Sequence, residues 1–301
     1  MKFFAIPLTK KNIGSFIKEI LPYEHTCINL SECLKKQKRF FDEGRELYSF
    51  IKAESFFSYD KGKKEFVGIL FLAAHGVLFH CFCRKIPENL SEYIMNNFLK
   101  DTSPISVMGE KETSIRLEEL IKQSLSLEPA RYENYKLLVL KNKTIEAKNF
   151  CIKASNNLNS CLEFLKPPME DAEILCPMEI EYNESEVLAP GVKASPELCL
   201  KLLKKRINNN ALYAVKKDGE YISKAGINAS GFNWYQIGGV FTKPNYRNKG
   251  ASTANILVLI NDSSQYKKNF ALFVKLNNPA ARQMYRKIGF AEFCDFRISY
   301  F

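Results

Sequence analysis

Gln236-Ile-Gly-Gly-Val-Phe-Thr-Lys-Pro-Asn-Tyr-Arg-Asn-Lys-Gly-Ala-Ser252, running directly into Thr253-Ala-Asn-Ile-Leu-Val-Leu-Ile260, decides the fold of this chain. An apolar, β-leaning run ends at Thr242, Pro244 stops the ladder, and Arg247 to Ser252 form a short cationic loop with a glycine before helix-like sequence begins. That order is strand, turn, helix N-terminus. Such a junction offers unpaired backbone N–H groups at the positive end of a helix dipole, which together bind phosphate without a dedicated side chain. Gly250 lets the backbone approach a ligand closely, and Ala251 and Ser252 are too small to obstruct it. Neither a Walker loop nor a Gly-x-Gly-x-x-Gly dinucleotide fingerprint can be written onto Arg247 to Ser252.

About thirty residues downstream lies a second constellation. Leu272-Phe-Val-Lys-Leu276 reads as a short strand, and Asn277-Asn-Pro-Ala-Ala-Arg-Gln-Met-Tyr-Arg-Lys-Ile-Gly-Phe290 as a helix with its boundaries written out. Asn278 is an N-cap, Pro279 the first helical residue, Arg286 and Lys287 the basic last turn, and Gly289 the left-handed residue after the end.

Both stretches resemble the GNAT superfamily of N-acetyltransferases. Val240 and Pro244 precede Arg247, Gly250 and Ser252 as in that family's pyrophosphate loop, Arg/Gln-x-x-Gly-x-Gly/Ala, with Ser252 departing mildly from the last position. Asn278, Ala281, Tyr285, Gly289 and Phe290 match its Asn-x-x-Ala-x-x-x-Tyr-x-x-x-Gly-Phe signature. The resemblance implies acetyl-CoA as cosubstrate, bound between two parallel strands that splay apart. It assigns the pantetheine arm and thioester carbonyl to the backbone of Val240, Phe241 and Thr242. The pyrophosphate falls to the N–H groups of Arg247, Asn248, Lys249, Gly250, Ala251 and Ser252, and Asn278 touches the coenzyme from the other side. Tyr285 becomes the general acid at the sulfur, and its phenol, with an ordinary pKa of about 10, is protonated at neutral pH. The base is left open among a water relay, one of the upstream glutamates and Asp295, because Gln236 stands where the family often has a glutamate.

The chain carries one meander twice. Phe56 to Leu72 with Gly76 to Phe82, and Leu212 to Ile227 with Trp234 to Phe241, each read as strand, Lys/Asp/Gly turn, glycine-bearing strand, hairpin, strand. Tyr135–Leu140 and Phe296–Phe301 close the two segments alike. After the first meander comes Cys83-Arg-Lys-Ile-Pro-Glu-Asn-Leu-Ser-Glu, without glycine and with acids where phosphate would lie. The expectation is an α/β protein, α+β with a mixed sheet, of two tandem GNAT-like domains. A degenerate one spans 1–141, an Asn- and Lys-rich linker 142–167, and the acetyltransferase domain 168–301. Residues 1 to about 50 read as helical, Glu173–Cys176 as a strand, and Glu179 to Glu186 as a solvated acidic loop; Ser195-Pro-Glu starts a helix.

At 301 residues and 46% apolar composition the chain can build two ordinary cores. No apolar run approaches the ~18 residues of a membrane span, and the opening residues are too short for a signal-peptide core, so a cytoplasmic protein without a membrane partner is expected. Nine scattered cysteines read as reduced packing residues, and Cys81 and Cys83 beside His75 and His80 alternate between strand faces, which predicts no metal site. The net charge of +11 favours an anionic ligand and is spread without a dense basic run. The activity so implied moves an acetyl group from acetyl-CoA to a small-molecule or peptide amine by direct attack in a ternary complex. The alternatives are an aminoacyl-tRNA-dependent transferase of the same tandem fold, the one reading that brings in nucleic acid, and a non-catalytic acyl-CoA-binding protein.

Overall fold

Alternating apolar strands joined by short turns produce the same meander in each half. In chain order, β1 (Lys2–Pro7) leads to α1 (Ile13–Ile20) and α2 (Ile28–Asp42), and β2 (Phe50–Asp60), β3 (Lys63–Ala73) and β4 (Val77–Phe82) form the first meander. Then come α3 (Glu88–Tyr93), β5 (Ser106–Glu110), α4 (Lys111–Leu125) and β6 (Arg131–Leu140). The second half holds α5 (Ala147–Leu158), β7 (Leu162–Leu165), α6 (Ala172–Tyr182) and α7 (Pro196–Asn208), then the meander β8 (Leu212–Lys217), β9 (Glu220–Ser230) and β10 (Trp234–Thr242). It closes with α8 (Ala251–Ser264), β11 (Asn269–Lys275), α9 (Pro279–Lys287) and β12 (Ala291–Tyr300). This computed structural model describes residues 2–45, 50–60, 63–141 and 145–301. The β8–β9 turn is the two-residue Asp218-Gly219, both at positive φ, which matches the twist of the paired strands. In the first meander, Lys61 and Gly62 of the corresponding turn lie outside the described residues.

The strands form one mixed sheet, ordered β1-β2-β3-β4-β5-β12-β6-β11-β10-β9-β8-β7. The halves exchange their last strands. β12 pairs antiparallel with β5 from Tyr300↔Ser106 to Phe296↔Glu110, while β6 pairs with β11 from Phe270↔Leu140 to Lys275↔Tyr135. β6 and β12 also pair with each other, closing the middle of the sheet. Buried Ile256, Leu257, Leu259 and Ile260 of α8 join the β10 and β11 side chains in one cluster, and Ala251 and Ala254 pack toward α5. Burial of each large aliphatic side chain contributes about 1.5–3 kcal/mol.

A polar clamp joins the halves elsewhere. Glu24, fully buried, accepts from Ser31 Oγ at 2.5 Å, from Phe232 N at 2.5 Å and from Asn233 N at 3.0 Å. A Cβ on Gly231 would come within 2.1 Å of the Glu24 carboxylate, so only glycine permits this approach.

Several expectations are corrected. The chain starts with strand β1 before its helices, and Glu173–Cys176 lies in α6, a helix that continues through Pro177. The acidic stretch is helical over Glu179 and Glu181, and Glu179 is buried. Within 142–167, expected as a linker, α5 packs on α8 and β7 is the sheet's edge strand. Ser195 does cap α7, accepting from Leu198 N at 3.3 Å with Pro196 at the first position.

Candidate active site

β10 and β11 run parallel from Trp234↔Asn269 to Ile237↔Leu272, and their pairing ends there although both strands continue. Beyond that point β9 holds β10 through Phe241↔Lys224 and Thr242↔Ser223, while β6 holds β11 through Lys275↔Tyr135. Each strand is drawn to its outer neighbour, and the gap opens into a cavity of about 630 Å³. β10 is bulged between Gly238 and Phe241, with Gly239 at φ +62°, a conformation that costs a side chain about 1 kcal/mol or more.

Of the residues singled out from the sequence, Val240, Phe241, Thr242, Arg247, Asn248, Gly250, Ala251, Ser252, Asn278 and Tyr285 line this one cavity. Lys249 does not; its carbonyl accepts from Asn157 Nδ2 at 3.2 Å, so α5 supports the loop from behind. Gly250 is the N-cap of α8 at φ +93°, and no side chain caps that helix end. Its first-turn N–H groups therefore stand available beside the cavity, where Ala251, Ser252 and Thr253 are lining residues. Arg247 is held by Nε donating to the Thr242 carbonyl at 2.9 Å, with its guanidinium 5.5 Å from the Phe241 ring centroid.

Asn278 caps α9, its Oδ1 accepting from Ala281 N at 3.0 Å, and the residue lines the cavity. Gly289 follows the helix at φ +101°. Tyr285 is buried at 6% exposure and lines the cavity. Burial, then the nearby Tyr182, push its phenol well above the usual tyrosine value, so it stays protonated. A proton donor at the end of a channel that starts at a helix N-terminus can bind a long anionic thioester and protonate its leaving sulfur.

Gln236 is nearly buried, and its Oε1 accepts from Asn29 Nδ2 of α2 at 2.6 Å, so the amino-terminal half reaches the floor of the site. Met108 of β5 and Tyr300 of β12 add to the wall. Among the acids left open as bases, Glu186 lines the cavity, whereas Asp295 is paired to Lys136 away from it. Among the described residues no group of three His, Cys, Asp or Glu side chains is placed to hold a metal ion, and no helix is long and apolar enough to cross a membrane.

The acidic stretch hides a group the sequence did not reveal. Lys224 of β9 is wholly buried, its Nζ 2.8 Å from the Glu179 carboxylate and donating to the Gly239 carbonyl at 3.0 Å. Arg206 of α7 donates to the same carboxylate at 2.9 Å. Although burial alone would raise it, Lys224 and Arg206 hold the Glu179 carboxyl below its usual value.

The equivalent strand pair in the amino-terminal half is packed differently. β4 and β5 pair parallel from Val77↔Ser106 to Phe79↔Met108, and beyond that point the buried His80 ring lies over Gly109, its Nε2 only 2.1 Å from where a Cβ there would lie. The α4 N-terminus there is capped by Glu110, which accepts from Glu112 N and Thr113 N.

Residues 177–290 match the model of the acetyltransferase (GNAT) family. No curated protein sequence matches the chain. Among solved structures, a Drosophila protein overlays with TM-score 0.63 at 12% identity, over 100% of this chain and 99% of that one. A tandem GNAT protein from the clavulanic acid biosynthesis pathway overlays with TM-score 0.56 at 9% identity, over 99% and 98%. A GNAT-family acetyltransferase from Colwellia psychrerythraea overlays with TM-score 0.53 at 12% identity, over 100% of both chains. At such identities the likeness concerns the fold, and it extends over both halves.

Proposed function

We propose, from the premise that the carboxyl-terminal region of this chain is a GNAT-family acetyltransferase domain, that the protein transfers an acetyl group from acetyl-CoA to an amine. One observation carries the reading: the uncapped end of α8, the splayed β10–β11 gap and the Tyr285 hydroxyl lie along a single cavity. The diphosphate takes the N–H groups of the α8 first turn, and the pantetheine arm runs along Val240 to Thr242. The amine lone pair attacks the thioester carbon, a backbone N–H of the β10 bulge stabilises the oxygen charge, the C–S bond breaks, and the departing thiolate takes the Tyr285 proton. The ammonium proton leaves through water toward Glu186, the carboxylate on the cavity wall.

The division of labour follows the halves. Residues 168–301 carry the chemistry, residues 1–141 supply a wall for the acceptor through Asn29 and Met108, and α5 between them buttresses the loop through Asn157. Calorimetric titration of acetyl-CoA into the protein, followed by an amine screen read by CoA release, tests the reading. Saturable binding and amine-dependent thiol release are expected, and absence of acetyl-CoA binding overturns it.

A further inference from the structure

The peptide unit between Gly239 and Val240 is gripped from outside the cavity. Its carbonyl accepts from the Lys224 ammonium, and Gly239 is also approached by Arg206, whose Nη1 lies 3.4 Å from where a Cβ would stand. The Tyr182 ring, which itself lines the cavity, faces Lys224 at 4.2 Å. No peptide bond in the described chain is cis. In a trans peptide the C=O and N–H point in opposite directions, so with the carbonyl turned to Lys224 the Val240 N–H is turned away from it, to the side where Gly239 and Val240 line the cavity.

A cation on the carbonyl polarises the whole peptide and strengthens its N–H as a donor, since hydrogen bonds in series reinforce one another and do so more in a low-dielectric interior. Two cations face one carboxylate here, which leaves a net positive charge beside the bulge. An ion pair buried this deeply adds little stability over an apolar replacement of the same size, so stability alone does not account for it. Burial pushes the Lys224 ammonium down to about 8, with the Glu179 carboxylate acting in the opposite direction, so it is largely charged at neutral pH. We propose that Lys224, anchored by Glu179, is a positioning residue for acetyl transfer: it fixes and polarises the Gly239–Val240 peptide so that the Val240 N–H binds the thioester oxygen more tightly as charge develops on it. The inference rests on the acetyl-transfer reading and adds a role for a side chain that never touches the substrate.

Isotope-edited infrared spectroscopy of carbonyl-labelled acetyl-CoA tests it without knowledge of the acceptor. In the unaltered protein the bound carbonyl stretch falls below its value in water, and Lys224→Met moves it back toward the solution value while CoA, which has no thioester carbonyl, binds with unchanged affinity. With any amine that the unaltered protein acetylates, Lys224→Met lowers kcat about tenfold and leaves the KM for acetyl-CoA within about twofold, a smaller loss than the ~10²-fold or more that follows outright removal of such a donor. Should Lys224→Met fail to fold because Glu179 loses a partner, the doubly neutral Lys224→Met, Glu179→Gln protein removes the unpaired charge and must show the same return of the carbonyl stretch. An unmoved stretch in a folded variant, or an equal loss of CoA and acetyl-CoA affinity, overturns the proposal. Failure of the unaltered protein to bind acetyl-CoA sinks the underlying reading instead.

Discussion

The Glu24 carboxylate, itself fully buried, and the backbone N–H of Asn233, from opposite halves of the chain, meet at 3.0 Å. Removing the acceptor in Glu24→Ala leaves the Phe232 and Asn233 donors and the Ser31 hydroxyl without it, a loss of about 3 kcal/mol. Urea unfolding is the check, with a midpoint lowered at unchanged slope expected. Gly231→Ala destabilises by a similar amount, because its methyl group meets the carboxylate.

Tyr285→Phe keeps the ring within the core and removes the hydroxyl. Turnover falls by about 10²-fold or more while acetyl-CoA affinity is unchanged. Steady-state kinetics beside calorimetry separates the two, and transfer at the parent rate would remove Tyr285 from the mechanism.

Arg247→Glu places a carboxylate beside the diphosphate position and breaks the bond that holds the loop to the Thr242 carbonyl. CoA affinity drops by at least about tenfold, an energy near 1.4 kcal/mol. Calorimetry at two salt concentrations tests this; a charge effect shrinks as salt rises, whereas simple misfolding of the loop does not.

His80 gives a pH signature for the amino-terminal half. Burial pushes its imidazole down to about 3, and its Nε2 lies 2.8 Å from Ser114 Oγ. The folded value is below the unfolded one of about 6.5, so this residue's contribution is complete above pH 6.5 and is lost as pH falls toward 3, by about 1.4 kcal/mol per unit. His80→Asn reduces the loss of stability between pH 7 and pH 4.5 in denaturant unfolding, leaving the smaller part that His25 and His75, also lowered by burial, contribute. A slope equal to that of the parent would show that another group titrates there.

What could be read from the sequence was local. The caps at Ser195 and Asn278, the glycines at 250 and 289, and the two meanders are each written in a few adjacent residues, and all are present. Glu173–Cys176 misled because four apolar-leaning residues carry no period, whereas α6 runs over Ala172–Tyr182. Glu179 looked solvated because its partners Lys224 and Arg206 lie far along the chain. Asn29 beneath Gln236 was equally invisible, since side-chain pairing over such a separation leaves no local trace. The exchange of β6 and β12 was missed for a related reason: the two strands read alike, and similarity does not say which neighbour each will choose.

That exchange bears on how the molecule is made. The β5 edge stays bare until β12 has been synthesised, so the leading half emerges from the ribosome with an open ladder and cannot mature ahead of the trailing one. Two nascent chains held close together could trade these strands as readily as one chain does with itself, which makes intertwined dimers the natural by-product of crowded expression.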